Sequence, residues 1–437
     1  MWSSLRQWLV GRFRGRPPRA GQDLVATVPA AEGDASASAQ LTASAPSDVP
    51  ERQDGAQDAS PPARGRRGRR RKDADRGYFG EELWGTSKRH RAATFDEARV
   101  RRLDLPALRD ERALAAWLGL PLARLRWFTH DRPADKTWHY VRYVVPKRNG
   151  GQRVILAPKR ELKALQRRVL AELVARIPVA SAAHGFVSGR SIATNARPHV
   201  GQRVVVGLDL KDFFPSITFQ RVRGVFIAHG YSYAVASALA LLCTEYDREP
   251  FDREGEQFYI SVGPRHLVQG APTSPALANL VAWRLDRRLM GLAARYGFSY
   301  TRYADDLTFS GDNAAAIGRL LTHVKRIIAD ERFVLNDAKT RVARRARRQV
   351  VTGLVVNDQV AAPRQLRRRL RAMLHNARQS GLEAQQRTPR GSGAAYVRGL
   401  IAFVNAVNPR HAAPLQAALQ RVADTPDQAA DEGPGPE

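Results

Sequence analysis

Tyr303-Ala304-Asp305-Asp306 lies between two runs that read as β-strands, Gly297 to Arg302 and Leu307 to Ser310, so two adjacent carboxylates sit at a hairpin tip. Clustering two acids away from bulk water is unfavourable unless a cation pairs with them. Asp-Asp also suits an ordinary surface turn, where each carboxylate accepts nearby backbone N–H groups. A third carboxylate shifts the balance. Val204 to Leu208 is a continuous apolar run typical of a buried strand, and it ends in Asp209. If the ends of these strands are neighbours, Asp209 and Asp305 present hard oxygen ligands of the kind that suit Mg2+. Two such ions clamp the attacking and leaving oxygens of an in-line phosphoryl displacement.

Charge points to the same class of substrate. The formal net charge is +29, and residues 1–76 carry 14 Lys and Arg against 9 Asp and Glu, which leaves +24 on residues 77–437. The basic surface therefore belongs to the part expected to fold, and a positive groove binds nucleic acid by releasing counterions. An arginine-rich genome raises Arg everywhere, but it does not explain the scarcity of acids. The single cysteine, Cys243, excludes an intramolecular disulfide and the usual structural zinc set. No apolar stretch is long enough to span a bilayer, and a cytoplasmic location is expected. Met1 to Arg19 mixes Trp2, Leu5, Trp8, Leu9, Val10 and Phe13 with five arginines, which suits a short surface or partner helix better than a secretion signal.

Residues 20–76 have almost no large apolar residue and are expected to be disordered. Within them, Arg64 to Lys72 reads as an RNA-contacting arm or a solubilising tail. Residues 426–437 are also expected to be disordered. Asp96 to Trp127 reads as short amphipathic helices broken at Pro106 and Gly119-Leu120-Pro121. Trp138 to Val145 and Gln152 to Leu156 read as a hairpin whose turn is flanked by Lys147 and Arg153. Helices are expected over Glu161 to Ile177, Arg221 to Glu245, Pro275 to Ala294 and Ala314 to Ala329. A polar loop is expected through Asp252 to Glu256, then a strand from Gln257 to Val262. The strand ending at Asp209 and the Asp-Asp hairpin, backed by these helices, make an α+β layer. Residues 363–424 are expected to be helical, with Arg364, Arg367, Arg368, Arg369 and Arg371 on one stretch.

At this point the chain resembles a reverse transcriptase. Leu208-Asp209-Leu210-Lys211-Asp212-Phe213-Phe214 is similar to the family's first palm motif, Gln269 to Pro275 to its template and nucleotide motif, and Tyr303 to Asp306 to its catalytic turn. Asn336 to Thr340 and Val350 to Asn357 resemble the following palm motif and the primer-grip hairpin. The resemblance spans roughly residues 95–420. Asn195-Ala196-Arg197-Pro198-His199, Val351-Thr352-Gly353, Ala182 to Ile192 and Leu125 to Phe128 resemble the retron branch, of myxobacterial type. Other bacterial reverse transcriptases, of abortive-infection or diversity-generating type, and an RNA-binding scaffold with a vestigial polymerase stand as alternatives. The retron motifs and the intact Asp209, Phe214, Asp305 and Asp306 argue against them.

The resemblance implies a right-hand polymerase fold. It has a helical region at 77–137, fingers at 138–202, a palm with an antiparallel sheet backed by helices at 203–357, a helical fingers insertion near 221–262, and a thumb at 358–425. It further implies that Asp209, Asp305 and Asp306 are catalytic and, with the Leu210 carbonyl, hold two Mg2+ ions. Lys147, Arg153, Asp212, Phe213, Phe214, Gln269, Gly270 and Lys339 are implied at the nucleotide. Phe214 would exclude a 2′-hydroxyl and so select dNTPs, and Lys339 would pass a proton to pyrophosphate. Arg190, Asn195 and His199 are implied in RNA recognition or in fingers structure, and Thr352 and Gly353 in RNA recognition. A retron enzyme takes a cognate structured noncoding RNA as template and primer, starts from an internal guanosine 2′-hydroxyl and leaves DNA joined to RNA. It usually serves anti-phage defence with an effector protein.

Overall fold

The structure is a computed structural model that describes residues 92–130, 134–146, 150–253, 255–385 and 392–424. The expected disordered segments at 1–76 and 426–437 and the turn residue Lys147 lie outside these described residues. The described chain opens with three short helices, α1 (Glu97–Arg102), α2 (Glu111–Leu118) and α3 (Leu122–Thr129). Asp96 and Asp110 cap the first two by accepting the backbone N–H of Arg99 and Ala113, and Gly119 ends α2 in the left-handed region. There follow β1 (Ala134–Asp135), the ribbon β2 (Tyr140–Pro146) with β3 (Gln152–Pro158), α4 (Arg160–Glu172) and the single-turn α5 (Ile192–Ala196). The helix expected over Glu161 to Ile177 thus stops at Glu172, and a tight turn at Val174–Arg176 completes it.

The central strand β4 (Val204–Lys211) runs two residues beyond Asp209, because Leu210 and Lys211 find partners in Leu335 and Val334. Asp209 is therefore within the strand and not at its end. Next come α6 (Phe219–Ala228) and α7 (Tyr233–Cys243), where one helix from Arg221 to Glu245 was expected. Gly230 separates them. Its φ is 101°, and a Cβ there would stand 2.6 Å from the Asp96 carbonyl oxygen. The expected polar loop is the turn of a long hairpin, β5 (Glu245–Arg253) with β6 (Glu256–His266), so this insertion is half sheet. Pro275 to Ala294 likewise divides into α8 (Ser274–Val281) and α9 (Trp283–Tyr296), with Ala282 at the join.

The hairpin β7 (Phe298–Tyr303) and β8 (Asp306–Gly311) is followed by α10 (Ile317–Asp330), β9 (Val334–Leu335), β10 (Arg341–Arg344) and the small hairpin β11 (Val350–Val351) and β12 (Leu354–Val355). Three helices end the described chain: α11 (Arg364–Ser380), α12 (Gly393–Val407) and α13 (Pro409–Ala423).

The main sheet has the order β10-β4-β8-β7, antiparallel throughout, with β9 extending β4. Alternation assigns its two faces. Val204, Val206, Leu208 and Leu210 of β4, Phe298 and Tyr300 of β7, and Leu307 and Phe309 of β8 enter the large core shared with α8, α9 and α10. Val205 faces the other way, into a second cluster with Ala193, Ala196, Val351, Leu354 and Val356. The three C-terminal helices build a core of their own around Leu370, Leu374, Val397, Ile401 and Leu415. Among the described residues, no helix is long and apolar enough to cross a membrane.

Candidate active site

Asp209 is odd-numbered on β4 and so leaves the sheet on the face of Val205, away from the main core. In the β4–β8 register it stands directly opposite Asp306. Cross-strand partners share a face, so these two carboxylates are neighbours by construction of the ladder. Tyr303 pairs with Asp306 at the end of β7–β8, which leaves Ala304-Asp305 as a two-residue turn. The Leu210 amide donates to the Asp305 carbonyl oxygen at 3.0 Å and ties the turn to β4.

From the other side, the Asn336 amide donates to the Asp209 carbonyl at 2.8 Å and its side-chain Nδ2 to Asp209 Oδ2 at 3.2 Å. Lys339 Nζ lies 2.9 and 3.0 Å from the two Asp209 oxygens.

These acids are held where charge is unwelcome. Burial, then the neighbouring Asp209 charge, raises the Asp305 carboxyl above the ordinary range, while Lys339 and Arg153 pull it back. Burial, followed by the charges of Asp305 and Asp209, pushes Asp306 up to about 7. The donors are hard oxygens with too little positive charge around them, which is the chemistry that fits Mg2+. Among the described residues, no three acidic, His or Cys side chains converge as a finished metal cluster. Asp209 faces the Lys339 ammonium instead.

The other expected nucleotide residues divide. Arg153, half-buried at the end of the β2–β3 ribbon, is close enough for its charge to act on Asp305. Asp212 is exposed, with φ 46°. Phe214 is buried between Phe213 and Phe186, the latter 39% exposed, so it forms the inner wall of a partly open aromatic group. Phe213 faces inward instead. It stacks on Phe333 at 5.6 Å and lies beneath the Arg302 guanidinium, so it serves the core. The Gln269 carbonyl accepts from the Leu156 amide at 2.8 Å, and a Cβ on Gly270 would stand 2.6 Å from the Leu156 oxygen. The close approach that Gly270 permits, at φ 118°, is thus to the β2–β3 ribbon.

Of the two roles implied for Arg190, Asn195 and His199, RNA recognition and fingers structure, the first gives way to the second. Asn195 and His199 are fully buried and cannot touch RNA. His199 bonds Ser310 Oγ and Thr301 Oγ1, each at 2.7 Å, and so braces β7 against β8. Arg190 turns its guanidinium onto the carbonyls of Ala180, Ser181 and Ala183 and latches that loop. Thr352 donates to the Ile192 carbonyl at 3.3 Å, while Gly353 is exposed at the β11–β12 tip.

Sequence reasoning missed the supports behind the turn. Arg302 and Asp286 form a fully buried, two-pronged ion pair, and Asn279 and Gly185 complete its contacts with the turn. One signal existed: Arg302 falls in register with Phe298 and Tyr300, on the apolar face of β7.

Comparison with known proteins agrees with this geometry. The family profile described as reverse transcriptase (RNA-dependent DNA polymerase) matches residues 145–386. The retron Mx65 reverse transcriptase of Myxococcus xanthus is 54% identical over 72% of this chain and 73% of its own. The retron Mx162 enzyme of the same organism is 46% identical over 72% of this chain and 67% of its own. The retron Ec86 reverse transcriptase of Escherichia coli is 32% identical over 71% of this chain and 88% of its own. A half-buried acidic turn on an antiparallel sheet, a basic chain and these relatives lead to one conclusion: the chain belongs to the reverse transcriptase family, the RNA-directed DNA polymerases, and to its retron branch of myxobacterial type.

Proposed function

We propose that this protein copies a cognate structured noncoding RNA, its template and primer, into single-stranded DNA that stays joined to RNA. The reaction is two-metal nucleotidyl transfer from dNTPs, and its setting is anti-phage defence beside an effector protein. The observation that carries the reading is the opposition of Asp209 and Asp306 on one face, with Asp305 in the adjoining turn and the carboxyls of Asp305 and Asp306 raised by burial and mutual repulsion.

Asp209 and Asp305 are the main ligands, with Asp306 and the Leu210 carbonyl completing the oxygen set. Bound Mg2+ supplies positive charge that acidifies the primer hydroxyl and offsets the charge on departing pyrophosphate. Arg153, with Lys147, neutralises and orients the triphosphate. Phe214 closes the wall on which the sugar rests, so that a 2′-hydroxyl finds no room. Lys339 Nζ, released from Asp209, delivers a proton to pyrophosphate. Residues 138–202 act as fingers, 203–357 as palm and 358–425 as thumb. Gly353 at the tip of β11–β12 meets the nucleic-acid backbone.

The test uses the full chain with RNA transcribed from its flanking locus, Mg2+ and labelled dNTPs. DNA that stays with RNA after protease and is freed by debranching supports the reading. Product that forms from dNTPs with no template, or equally with Asp305→Asn/Asp306→Asn, contradicts it.

A further inference from the structure

We infer that Arg302 is a positioning residue for the Ala304-Asp305 turn, acting as a rigid fork between a buried carboxylate and the turn's own backbone, with Gly185 seating the opposite side of the same turn. The inference rests on the assignment of Asp305 and Asp306 as metal ligands made above.

Arg302 and Asp286 are both fully buried. Arg302 Nε donates to Asp286 Oδ1 at 2.8 Å and Nη2 to Oδ2 at 2.7 Å, and Tyr300 adds a hydroxyl to Oδ1 at 2.9 Å. A buried ion pair is a weak stabiliser compared with apolar groups of the same volume. Its presence here calls for a role that apolar side chains cannot fill. The third nitrogen supplies that role, because Nη1 donates to the Ala304 carbonyl at 3.0 Å and to Asn279 Oδ1 at 3.0 Å. Asp286 thus fixes the guanidinium plane, and the plane fixes the turn.

The turn needs holding. Ala304 has φ 58°, a left-handed conformation that an alanine adopts at a cost. Asn279 carries the grip to the other side by donating Nδ2 to the Gly185 carbonyl at 2.8 Å. Gly185 belongs to a segment that runs along the edge of β7, where Arg302 N donates to Ala182 O and His184 N to Arg302 O, each at 2.7 Å. A Cβ on Gly185 would lie 2.7 Å from Ala304 N and 3.2 Å from the Tyr303 carbonyl carbon, so any side chain there must move the turn itself. Two separate elements, α9 through Asp286 and the 182–186 segment through Gly185, therefore converge on one residue of the turn, Ala304, one on each of its flanking peptides.

The experiment follows single-turnover dNTP incorporation by the full chain on a synthetic RNA template with an annealed DNA primer, as a function of Mg2+. Template-primer affinity and thermal unfolding are measured alongside. Arg302→Lys keeps the charge and loses the fork. Gly185→Ala leaves the ion pair intact and presses on the turn.

Each is expected to slow maximal incorporation about tenfold to a hundredfold and to raise the half-saturating Mg2+ concentration severalfold, with template-primer affinity within about twofold of the parent. A fall in rate that only follows the folded fraction, at unchanged half-saturating Mg2+, makes these residues structural and overturns the inference. If Arg302→Lys does not fold, Gly185→Ala decides alone by the same two readouts. A parent protein that incorporates nothing, either on this substrate or on its cognate RNA, contradicts the metal-ligand assignment, a result distinct from either outcome for the variants.

Discussion

The hairpins β7–β8 and β11–β12 both close with two-residue turns, and they reach left-handed backbone in different ways. At β11–β12, Thr352 and Gly353 have φ 45° and 84°, the tip is open, and a Cβ on Gly353 would meet nothing within 4 Å. Gly353 takes this conformation at no steric cost, and the β-branched Thr352 is tied by a single bond to the Ile192 carbonyl. At β7–β8, Ala304 takes φ 58° while only 1% exposed, enclosed by Arg302 and the 182–186 segment. There the surroundings impose the conformation. Strain of this kind persists where neighbours over-determine it, and the place where they do so is the acidic turn.

The largest expected effect comes from removing the enclosure. Arg302→Met leaves Asp286 charged and unpaired in the core and is expected to lower unfolding free energy by about 3–5 kcal/mol in urea titrations. Arg302→Met/Asp286→Leu should regain most of that stability without regaining the incorporation rate, separating what the pair does for the fold from what it does for the turn.

Acid should act on the same hairpin. Burial, and then the nearby His184, lowers His199 to about 3, and burial lowers His229 to about 4, both from 6.5. Because the unfolded chain binds these protons first, the contribution is complete above pH 6.5 and is lost as pH falls toward 4. The slope approaches about 1.4 kcal/mol per pH unit for each histidine. Because the raised carboxyls of Asp305 and Asp306 act with the opposite sign over the same range, urea titrations between pH 7 and pH 5 compare the parent with His199→Asn, and the variant should lack the destabilising slope that His199 contributes. An unchanged slope would remove His199 as the brace of β7 and β8.

Smaller effects separate the two turns directly. Gly353→Ala places a Cβ in open space but in a left-handed conformation, so a loss of about 1 kcal/mol is expected by thermal unfolding. Ala304→Gly relieves strain while freeing the unfolded chain, and its stability change should stay under about 1 kcal/mol. If the enclosure sets the turn, Ala304→Gly should nonetheless slow incorporation, because the peptide that Arg302 holds gains freedom.

The contrast also explains what could be read in the sequence. The carboxylates were legible because strand periodicity and an apolar run locate them, and the helical character of residues 363–424 was legible without its division into three helices. Lys339 was legible as a site residue but not as the partner of Asp209, a contact across 130 positions. Ala282 hid its helix break inside an apolar stretch, whereas His229-Gly230-Tyr231-Ser232 carried a readable one, a glycine followed by the Ser232 N-cap. The retron motif at Asn195 and His199 was found with two readings, RNA recognition and fingers structure, and its burial selects the second. A polar residue invites a ligand in a sequence, whereas here the hydroxyls of Thr301 and Ser310 come from strands a hundred positions away and bury the ring. Arg302 and Asp286 were passed over because Asp286, among Arg284, Arg287 and Arg288, reads as a solvated helix charge, and its pairing with Arg302 exists only once α9 covers β7.

The most direct test of the central claim, that Asp209, Asp305 and Asp306 hold the divalent cations of RNA-directed DNA synthesis, is Mg2+-dependent single-nucleotide incorporation by Asp305→Asn. Template binding is measured on the same preparation. A fall of about a thousandfold or more with template binding intact is expected. Incorporation within about tenfold of the parent, at the same Mg2+ dependence, would contradict it.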